Sequence, residues 1–514
     1  MIDNFSNSQV VRKRVVPTRG GVVASAHRRA SEVGVAILES GGDAVDAAVA
    51  VSFAIGVVEP WMSGLAAGGA MVLWRAAECK GYVVDYGMRS PRALDPSDYP
   101  ITGRGKDSDL FAWRLVKDDR NVAGATAVAV PGVVAGMALA HQKFGRAAWP
   151  DLVAPAVALA REGMLVDWFA GLMIASNARA LARDRDAAAL FLEDGRWPPL
   201  GSWTAFTEKH LDQKKLASTL EIIGREGPQA LYGGDVGAAL AKDVRDKGGS
   251  LALEDLSAYR ASVVEPLAVA YRGGRILAAP GMTGGPALAH ALDVLAKSAK
   301  PSYVEYAKAL QEAWSTRLQT SGDKDGCTTH FSVVDRAGNF CAVTQTLLSV
   351  FGSRVVSPST GIPLNNGIMW FDPEPGKPNS LAPGKRCLAN YCPVVGEDAA
   401  GRRFALGASG GRKIVGTVLQ IASFLVDHGM SLEEAFHAPR IDMSGNLPVV
   451  ADMALSAEAL AALEAAFPTE SARRLCFPYS FAVPAAVLRE GETNMGCTEI
   501  MSPWGDAVVE GNRR

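Results

Sequence analysis

The sequence predicts a protein of the α/β (α+β) class, in which helices and strands are both abundant. Segments 329–335 and 340–347 alternate apolar and polar residues, which is the period of a strand with one buried face. The turn residues from Arg336 to Asn339 join these two segments into a hairpin. Residues 44–57 form an apolar stretch with small side chains on every side, which predicts a helix buried in the core.

Two helices are predicted in succession near the N-terminus. The first covers 30–40 and ends at the pair Gly41-Gly42, because glycine adopts the backbone conformation that terminates a helix. Asp43 then lies where the N-cap of the buried helix 44–57 belongs, since its carboxylate can accept hydrogen bonds from the first backbone N–H groups.

A glycine-rich turn at 63–69 leads into a strand at 70–74, and another strand follows at 82–86. The turn carries no lysine, and it precedes a strand where a phosphate-binding loop would precede a helix. A packing turn is therefore favoured over a phosphate site.

Helices and strands continue to alternate downstream. Pro131 is predicted to begin a helix, because its missing N–H costs little at the first helical position. Residues 263–271 alternate and predict one strand. A strand at 403–406 is expected to lead, through a glycine-rich turn, into a helix over 413–427.

The bulk composition is that of a globular protein, with 514 residues, 48% of them hydrophobic and 21% charged. This length fits about three domains or one large α/β domain. The 52 Lys and Arg residues balance 54 Asp and Glu residues, which argues against nucleic acid or an acidic membrane as a partner. The first twenty residues are polar, and the longest apolar stretch, 44–60, is interrupted by acidic residues and too short to span a bilayer.

The number and spacing of the cysteines and histidines indicate the cellular location and whether a metal ion is bound. Seven cysteines form an odd, scattered set, which indicates reduced thiols in a cytoplasmic protein rather than a disulfide framework. The sequence has no Cys-x-x-Cys pair and no His-Glu-x-x-His, and its seven histidines are spread along the chain. We therefore expect neither a metal nor a cofactor, with a metal site assembled from distant residues as the alternative.

The catalytic hypothesis concerns Cys327-Thr328-Thr329-His330, at the start of the predicted hairpin. A threonine hydroxyl is a weak nucleophile unless a base lies beside it. If the chain cuts itself before Thr328, the freed α-amino group, with a pKa of about 7.7–8.0, supplies that base without a histidine. The bond between Cys327 and Thr328 is therefore the predicted cleavage site.

Backbone donors are predicted at a second position. Gly410 and Gly411 precede a helix, and their consecutive N–H groups would suit the negative charge that develops on an attacked carbonyl oxygen. By itself this pattern is not specific, because a Thr-Thr-His sequence is most often just the start of a strand.

A series of motifs, in order along nearly the whole chain, resembles the γ-glutamyltransferase (γ-glutamyltranspeptidase) family. The motifs are Gly21–Ser25, Gly41–Ala48, Val57–Pro60, Ala129–Gly132, Thr328–Asp335, Thr344–Thr346, Phe351–Ser353, Gly361-Ile362, Asn365-Asn366, Pro383–Arg386 and Gly410-Gly411.

The resemblance implies an N-terminal nucleophile hydrolase, with a four-layer αββα sandwich and a precursor that cuts itself autocatalytically. The large subunit would be residues 1–327 and the small subunit residues 328–514. The implied partners are a small-molecule amide substrate and the chain's own two fragments, as a heterodimer that could pair again.

The resemblance also implies roles for particular residues. In the family the first threonine of Thr-Thr-His is the nucleophile, and that position is Thr328 here. A second threonine on the next strand, which corresponds to Thr346, bonds to the nucleophile. The paired glycines of the oxyanion hole correspond to Gly410 and Gly411.

Six positions that hold the γ-glutamyl group in the family carry other residues in this sequence. Family members bind the α-carboxylate with an arginine and two serines, and the α-ammonium with an asparagine, a glutamine and an aspartate. The replaced positions are Gly87, Ala389 and Asn390 for the carboxylate, and Leu348, Gly367 and Trp370 for the ammonium.

These replacements predict poor binding of a γ-glutamyl group, because a buried ionic group without partners costs several kcal/mol. The expected substrate is another acyl amide, with an aliphatic, aromatic or short acidic acyl group. Arg89 and Asn390 could hold a carboxylate from shifted positions, and a surface arginine is the alternative for Arg89.

Three other interpretations stay open from the sequence. The chain could be a true γ-glutamyltransferase or glutathione hydrolase with a rearranged binding site. Cys327 could be the nucleophile, after cleavage one residue earlier. A third alternative is an unprocessed relative that binds a ligand without catalysis.

Overall fold

The computed structural model describes residues 11–106, 113–201, 208–321, 327–444 and 448–512. Strands β1 to β20 span Val22–Ser25, Gly68–Arg75, Lys80–Tyr86, Ile101–Lys106, Arg114–Val116, Met164–Leu165, His210–Leu211, Ser262–Val264, Leu267–Tyr271, Gly274–Ala278, Cys327–Val334, Phe340–Leu348, Val394–Glu397, Arg403–Ser409, Ile441–Asp442, Val449–Asp452, Thr469–Ala472, Val483–Glu490, Thr493–Thr498 and Asp506–Val509. Helices α1 to α15 span Arg28–Glu39, Ala44–Val58, Val133–Phe144, Trp149–Glu162, Trp168–Leu181, Arg185–Phe191, Lys214–Glu226, Gln229–Tyr232, Asp235–Asp246, Leu253–Ala258, Gly285–Leu295, Tyr303–Ser321, Lys413–Val426, Leu432–His437 and Ala457–Ala466.

Two sheets form the centre of the molecule. The larger has seven strands in the order β20-β1-β11-β12-β2-β3-β8, and the smaller has six in the order β19-β18-β14-β13-β10-β9. The sheets face each other, with β11 packed against β14 and β18. Helices α2, α3 and α4 cover the outer side of the larger sheet, and α11, α12 and α13 cover the smaller one. The layers are therefore αββα, as expected.

The predicted hairpin is present as β11 and β12, but it is covered on both faces. All nine residues of β12 are buried, although their sequence alternates apolar and polar side chains. One face packs against the helical core that contains Phe331 and Val343, and the other faces the smaller sheet. The polar residues of the hairpin therefore lie in the interior, where they need hydrogen-bond partners.

Two predicted boundaries were wrong. Pro131 does not begin a helix, because α3 starts at Val133 with Gly132 as its N-cap. The strand predicted over 263–271 is divided into β8 and β9. Pro266 lies between these two strands, and proline lacks the N–H that a continuous ladder needs. The break also transfers the chain from the larger sheet to the smaller one.

The N-cap predicted for the buried helix is confirmed. The Asp43 carboxylate accepts hydrogen bonds from the backbone N–H groups of Val45 and Asp46, and Asp46 accepts from the N–H of Asp43 in return. Arg75 forms an ion pair with Asp43 at 2.8 Å. These bonds fix the start of a helix whose 15 residues are all buried.

The helices in the described part of the chain do not include one with the length and apolar character needed to cross a bilayer.

We expect Asp43→Ala to lower the free energy of unfolding by about 1–2 kcal/mol, because the variant loses the helix cap. Urea denaturation at neutral pH measures this change. Asp43→Asn is the matched control, since it keeps an accepting oxygen for the N–H groups and loses only the charge facing Arg75. Equal loss in the two variants would contradict the capping argument.

Candidate active site

Thr328 lies near the start of β11, the strand that pairs with β1 on one side and with β12 on the other. It is 4% exposed, and the two residues that follow it are also buried. Strand β1 pairs with residues 331–334 of β11, so the predicted nucleophile lies just before the part of the strand that has neighbours on both sides, which favours a fixed geometry.

The ladder between β11 and β12 is irregular at Thr328. Thr329 pairs with Gln345, whereas Cys327 pairs with Leu348, so β12 has one extra residue opposite Thr328. Leu348 adopts a positive φ of 87°, which is uncommon for a residue with a side chain. Its N–H donates to the Oγ1 of Thr346 at 2.8 Å. The irregularity therefore brings Thr346, by its backbone position, opposite the predicted nucleophile.

The histidine of the Thr-Thr-His sequence serves the packing between the sheets. Its two ring nitrogens lie 2.8 Å from the Oγ1 of Thr344 and 3.0 Å from the Oγ of Ser332. Burial lowers the pKa of His330 to about 3, so the ring is neutral at physiological pH. The ring also lies against Gly407 of β14, where a Cβ would overlap it. His330 thus fixes β11 against β14 and is unsuited to act as a general base.

Gly410 and Gly411 form the turn between β14 and α13. Their φ angles are 130° and 63°, both in the region that favours glycine. A Cβ at position 410 would lie 2.9 Å from the Cα of Ala482, so this turn packs closely on its neighbour. The packing of His330 on Gly407 brings the end of β14, and with it this turn, to the side of the sandwich where β11 begins.

The glycine turn is anchored by the two residues after it. The guanidinium of Arg412 lies over the ring of Trp314 at 5.2 Å, which joins the turn to α12, the last helix before the predicted cleavage site. The Nζ of Lys413 donates to the backbone oxygens of Tyr479 and Ser480 at 3.3 and 3.0 Å. These contacts hold the predicted oxyanion donors in place.

A buried carboxyl group lies one residue from the predicted nucleophile. The hydroxyl of Thr329 donates to Glu59 at 2.8 Å, and Glu59 is the C-cap of α2. Burial raises the pKa of Glu59 to about 8, so the group is mostly protonated at neutral pH. In the sequence Glu59 stands out only as part of a motif, because its contact with Thr329 spans 270 positions in the chain.

Comparison with known proteins decides the family. The sequence model of Gamma-glutamyltranspeptidase matches this chain over residues 30–325 and 296–475. The chain belongs to the γ-glutamyltranspeptidase family. The "Acylase ACY 1 proenzyme" of Pseudomonas sp. (strain V22) is 34% identical over 484 residues, which cover 85% of this chain and 84% of that protein. The "Glutathione hydrolase proenzyme" of Bacillus subtilis (strain 168) is 30% identical over 495 residues, covering 84% and 81%.

A solved structure shows the same fold. Cephalosporin acylase from Bacillus halodurans superimposes with a TM-score of 0.85 and 22% sequence identity, covering 100% of both chains. The fold predicted from the resemblance is thereby confirmed. Membership of the family also confirms that the chain is an enzyme of the self-processing amide hydrolase and acyltransferase type, whose relatives act on small amides.

The positions that hold the γ-glutamyl ammonium in the family are apolar and buried here. Leu348 is fully buried and Trp370 is 4% exposed. Both belong to one apolar cluster, which also includes Met88. Gly367 begins a short 3₁₀ helix, Gly367–Trp370, and its carbonyl oxygen accepts from the thiol of Cys387. The described side chains at these three positions therefore provide no acceptor for an ammonium group.

The family motif Asn365-Asn366 is a scaffold for this region. The side-chain amide of Asn365 donates to the backbone oxygens of Ala66 and Ala129, and its oxygen accepts from the N–H groups of Ala129 and Gly367. The side-chain amide of Asn366 donates to the Oγ of Ser349, and its oxygen accepts from the N–H of Ser349. Both asparagines are fully buried, so these bonds replace the lost water.

The position of the family's carboxylate-binding arginine is occupied in space by a different arginine. A Cβ at Gly87 would overlap the guanidinium nitrogens of Arg386. The Nη2 of Arg386 forms an ion pair with Asp85 and donates to the hydroxyl of Tyr391 at 3.1 Å. Sequence reasoning missed this contact because Arg386 is 299 positions from Gly87 and stands out in the sequence only as part of a family motif.

Arg89 and Asn390, the two residues predicted to hold a carboxylate from shifted positions, differ in solvent exposure. Arg89 is exposed and lines a surface pocket of about 200 Å³, and its backbone pairs with that of Arg386. Asn390 is 5% exposed. In the described residues, His, Cys, Asp and Glu side chains do not assemble into groups of three suited to a metal ion.

We expect the free energy of unfolding to fall less steeply with rising pH in the Glu59→Gln variant than in the parent protein. The pKa of Glu59 is raised from 4.5 to about 8 in the folded state. Its contribution to stability is therefore complete below pH 4.5 and is lost as the pH rises through 8. Glutamine cannot ionise, and it can still accept the hydrogen bond from Thr329.

Urea unfolding of both proteins between pH 5 and pH 9 measures the difference. Glu59→Ala is the control, because it removes the hydrogen bond as well as the titration. Parallel stability curves for the parent and Glu59→Gln would show that this carboxyl group is not protonated when folded.

Proposed function

We propose that the chain cuts itself between Cys327 and Thr328, and that the new N-terminal Thr328 is the nucleophile of an amide hydrolase. The observation that carries this proposal is the place of Thr328, buried at the irregular start of β11 and opposite Thr346. The family membership supports the same chemistry.

In the self-cleavage step, the Oγ1 of Thr328 attacks the carbonyl carbon of Cys327. The hydroxyl proton moves to the nitrogen of Thr328 as the C–N bond breaks, which leaves an ester between Cys327 and the threonine oxygen. Water then hydrolyses this ester, giving a carboxylate at Cys327 and a free α-amino group at Thr328. The fragments would be residues 1–327 and 328–514.

In the mature enzyme, the α-amino group of Thr328 takes the hydroxyl proton as the oxygen attacks the substrate amide. The N–H groups of Gly410 and Gly411 stabilise the negative charge on the carbonyl oxygen. The leaving amine departs with a proton, and water resolves the acyl-enzyme. The hydroxyl of Thr346 orients the nucleophile.

The two fragments would remain together as a heterodimer, because each sheet contains strands from both. Strand β1 of the large fragment lies between β11 and β20 of the small one. Strand β2 pairs with β12, and β10 pairs with β13. Further pairing of heterodimers and the cytoplasmic location stay predictions.

The acyl group is proposed to be other than γ-glutamyl. Leu348 and Trp370 are buried and apolar where the family binds an ammonium group. An ammonium group moved from water into that environment would lose its hydration without gaining partners. A true glutathione hydrolase remains the alternative, and rapid release of glutamate from glutathione at micromolar concentration would support it.

We expect Thr328→Ala to give only the uncut chain and to lose amide hydrolysis by at least about a thousandfold. Denaturing electrophoresis and N-terminal sequencing of the small fragment measure these outcomes. Thr328→Ser is the matched control, since it keeps a hydroxyl nucleophile and should still be cut.

Two results would contradict this mechanism. A small fragment that begins with Cys327 would make the cysteine the nucleophile. A parent protein that stays uncut on long incubation would favour a non-catalytic binding protein.

We expect Gly410→Ala to lower kcat by about a hundredfold, with a smaller change in KM. The added Cβ would meet the Cα of Ala482 and displace an N–H group from the oxyanion. Steady-state kinetics on processed protein measures the effect. Gly429→Ala is the control, because Gly429 also has a positive φ, of 64°, but a Cβ there would extend into open space. Equal losses in both variants would contradict the assigned role.

A further inference from the structure

A buried cluster of charged side chains contacts the segment on which the glycine turn packs. Arg440 follows α14 and is fully buried, and its Nη2 forms an ion pair with Glu499 at 2.5 Å. Glu499 is 2% exposed and also pairs with the Nε of Arg474 at 3.0 Å. Asp452, whose N–H donates to the carbonyl oxygen of Arg440, is a further buried carboxyl group nearby. The proposed mechanism uses none of these four groups.

The ladder between β14 and β18 ends at the glycine turn. Its last pair is Ser409 with Val483, so Gly410 and Ala482 are the next residues beyond the ladder on the two sides. They stay in contact, because a Cβ at Gly410 would lie 2.9 Å from the Cα of Ala482. The position of Gly410 therefore depends on how the backbone of Ala482 is held.

Two cationic side chains hold that backbone. The Nη2 of Arg440 donates to the carbonyl oxygen of Ala482 at 3.4 Å, in addition to its bond with Glu499. Lys413 of α13 holds the carbonyl oxygens of two residues just before Ala482. A chain of contacts therefore runs from Glu499 through Arg440 and Ala482 to Gly410.

The burial of Arg440 is unfavourable in itself. Its Nε and Nη1 have no hydrogen-bond partner among the residues that the structure describes, and a buried donor without a partner destabilises the folded state. Burial lowers the pKa of the neighbouring Arg474 to about 10, and the positive charge of Arg440 adds to that effect. Apolar residues of similar volume often replace buried ion pairs without loss of stability. Stability alone therefore does not account for a guanidinium at this position.

We propose that Arg440 is a positioning residue for the glycine turn. It fixes the backbone of Ala482, and Ala482 in turn fixes the place where Gly410 leaves β14. The N–H groups of Gly410 and Gly411 are then aimed at the substrate carbonyl oxygen before attack, so that little reorganisation is needed as the negative charge develops. This inference rests on the proposed function, because it requires the glycine turn to be the oxyanion hole.

The experiment compares Arg440→Met with Arg474→Met. Each variant removes one guanidinium from Glu499 and leaves it paired with the other, but of the two arginines only Arg440 has a described bond to Ala482. The substrates are the p-nitroanilides of pentanoic, phenylacetic and glutaric acid, and rates are expressed per processed molecule. We expect Arg440→Met to lower kcat by roughly 10- to 30-fold, less than the loss of a direct donor, and to change KM by less than about twofold. Arg474→Met should lower kcat by less than about threefold.

Two further readouts separate positioning from a purely structural role. The fold loss in kcat should be the same for each anilide that the parent hydrolyses, because the glycine turn meets the carbonyl oxygen that all three share. The double variant Arg440→Met with Gly410→Ala should lose little more kcat than Gly410→Ala alone, since both changes act on the same contact. A structural role predicts instead that kcat falls in step with the urea midpoint, equally in the two Met variants.

Arg440→Lys provides a second test, which also serves if Arg440→Met does not fold. It keeps a charge for Glu499, but its side chain is shorter and lacks the planar fork, so kcat should fall by about threefold. A parental kcat in Arg440→Lys, equal losses in the two Met variants, or a change confined to KM would overturn the proposal. Failure of the proposed function is distinct, because the parent would then neither process itself nor hydrolyse any of the anilides.

Discussion

The pairing of β11 with β1 on one side and β12 on the other is the constraint on which the rest of the structure depends. It holds residues 331–334, just after the predicted nucleophile, between two neighbouring strands of the seven-stranded sheet. Because β1 comes from the start of the chain and β11 from its second half, the sheet can form only after both have been made. Self-cleavage at Thr328 would thus act on a completed fold, and the cut would leave the ladder intact.

Because the hairpin is buried on both faces, its polar side chains need hydrogen-bond partners inside the protein. The two ring nitrogens of His330 bond to Thr344 of β12 and to Ser332 of β11, on the face toward the smaller sheet. On the opposite face, Gln345 accepts from Ser52 and donates to Ser63, both near α2. The ring of His330 also packs on Gly407 of the smaller sheet, and Gln345 joins β12 to α2, so these polar side chains fix the hairpin against the layers on both of its faces.

Local signals in the sequence were enough for many of the helices and strands but not for the contacts between distant segments, and Thr328 as the nucleophile stays a prediction that rests on the family resemblance. The cap at Asp43, the hairpin and the helix after Gly411 follow from short-range rules, and the structure has all three. The division of β8 from β9 at Pro266 was missed because alternation was given more weight than the missing N–H.

Glu59 and Arg386 could not be assigned roles at all from the sequence, because their partners are hundreds of positions away. Arg386 lies against Gly87, which is 299 positions away, and its guanidinium is held by Asp85 and Tyr391. Thr346 is paired with Gly68, whereas Thr328 lies at the irregularity of the ladder between Cys327 and Thr329. Gly87 and Arg386 lie after the end of β3 and in a loop, and they meet in space. Binding of a carboxylate depends on where the guanidinium lies and not on which segment carries it. A Cβ at position 87 would overlap this guanidinium, so a larger side chain there and Arg386 in its present place exclude each other.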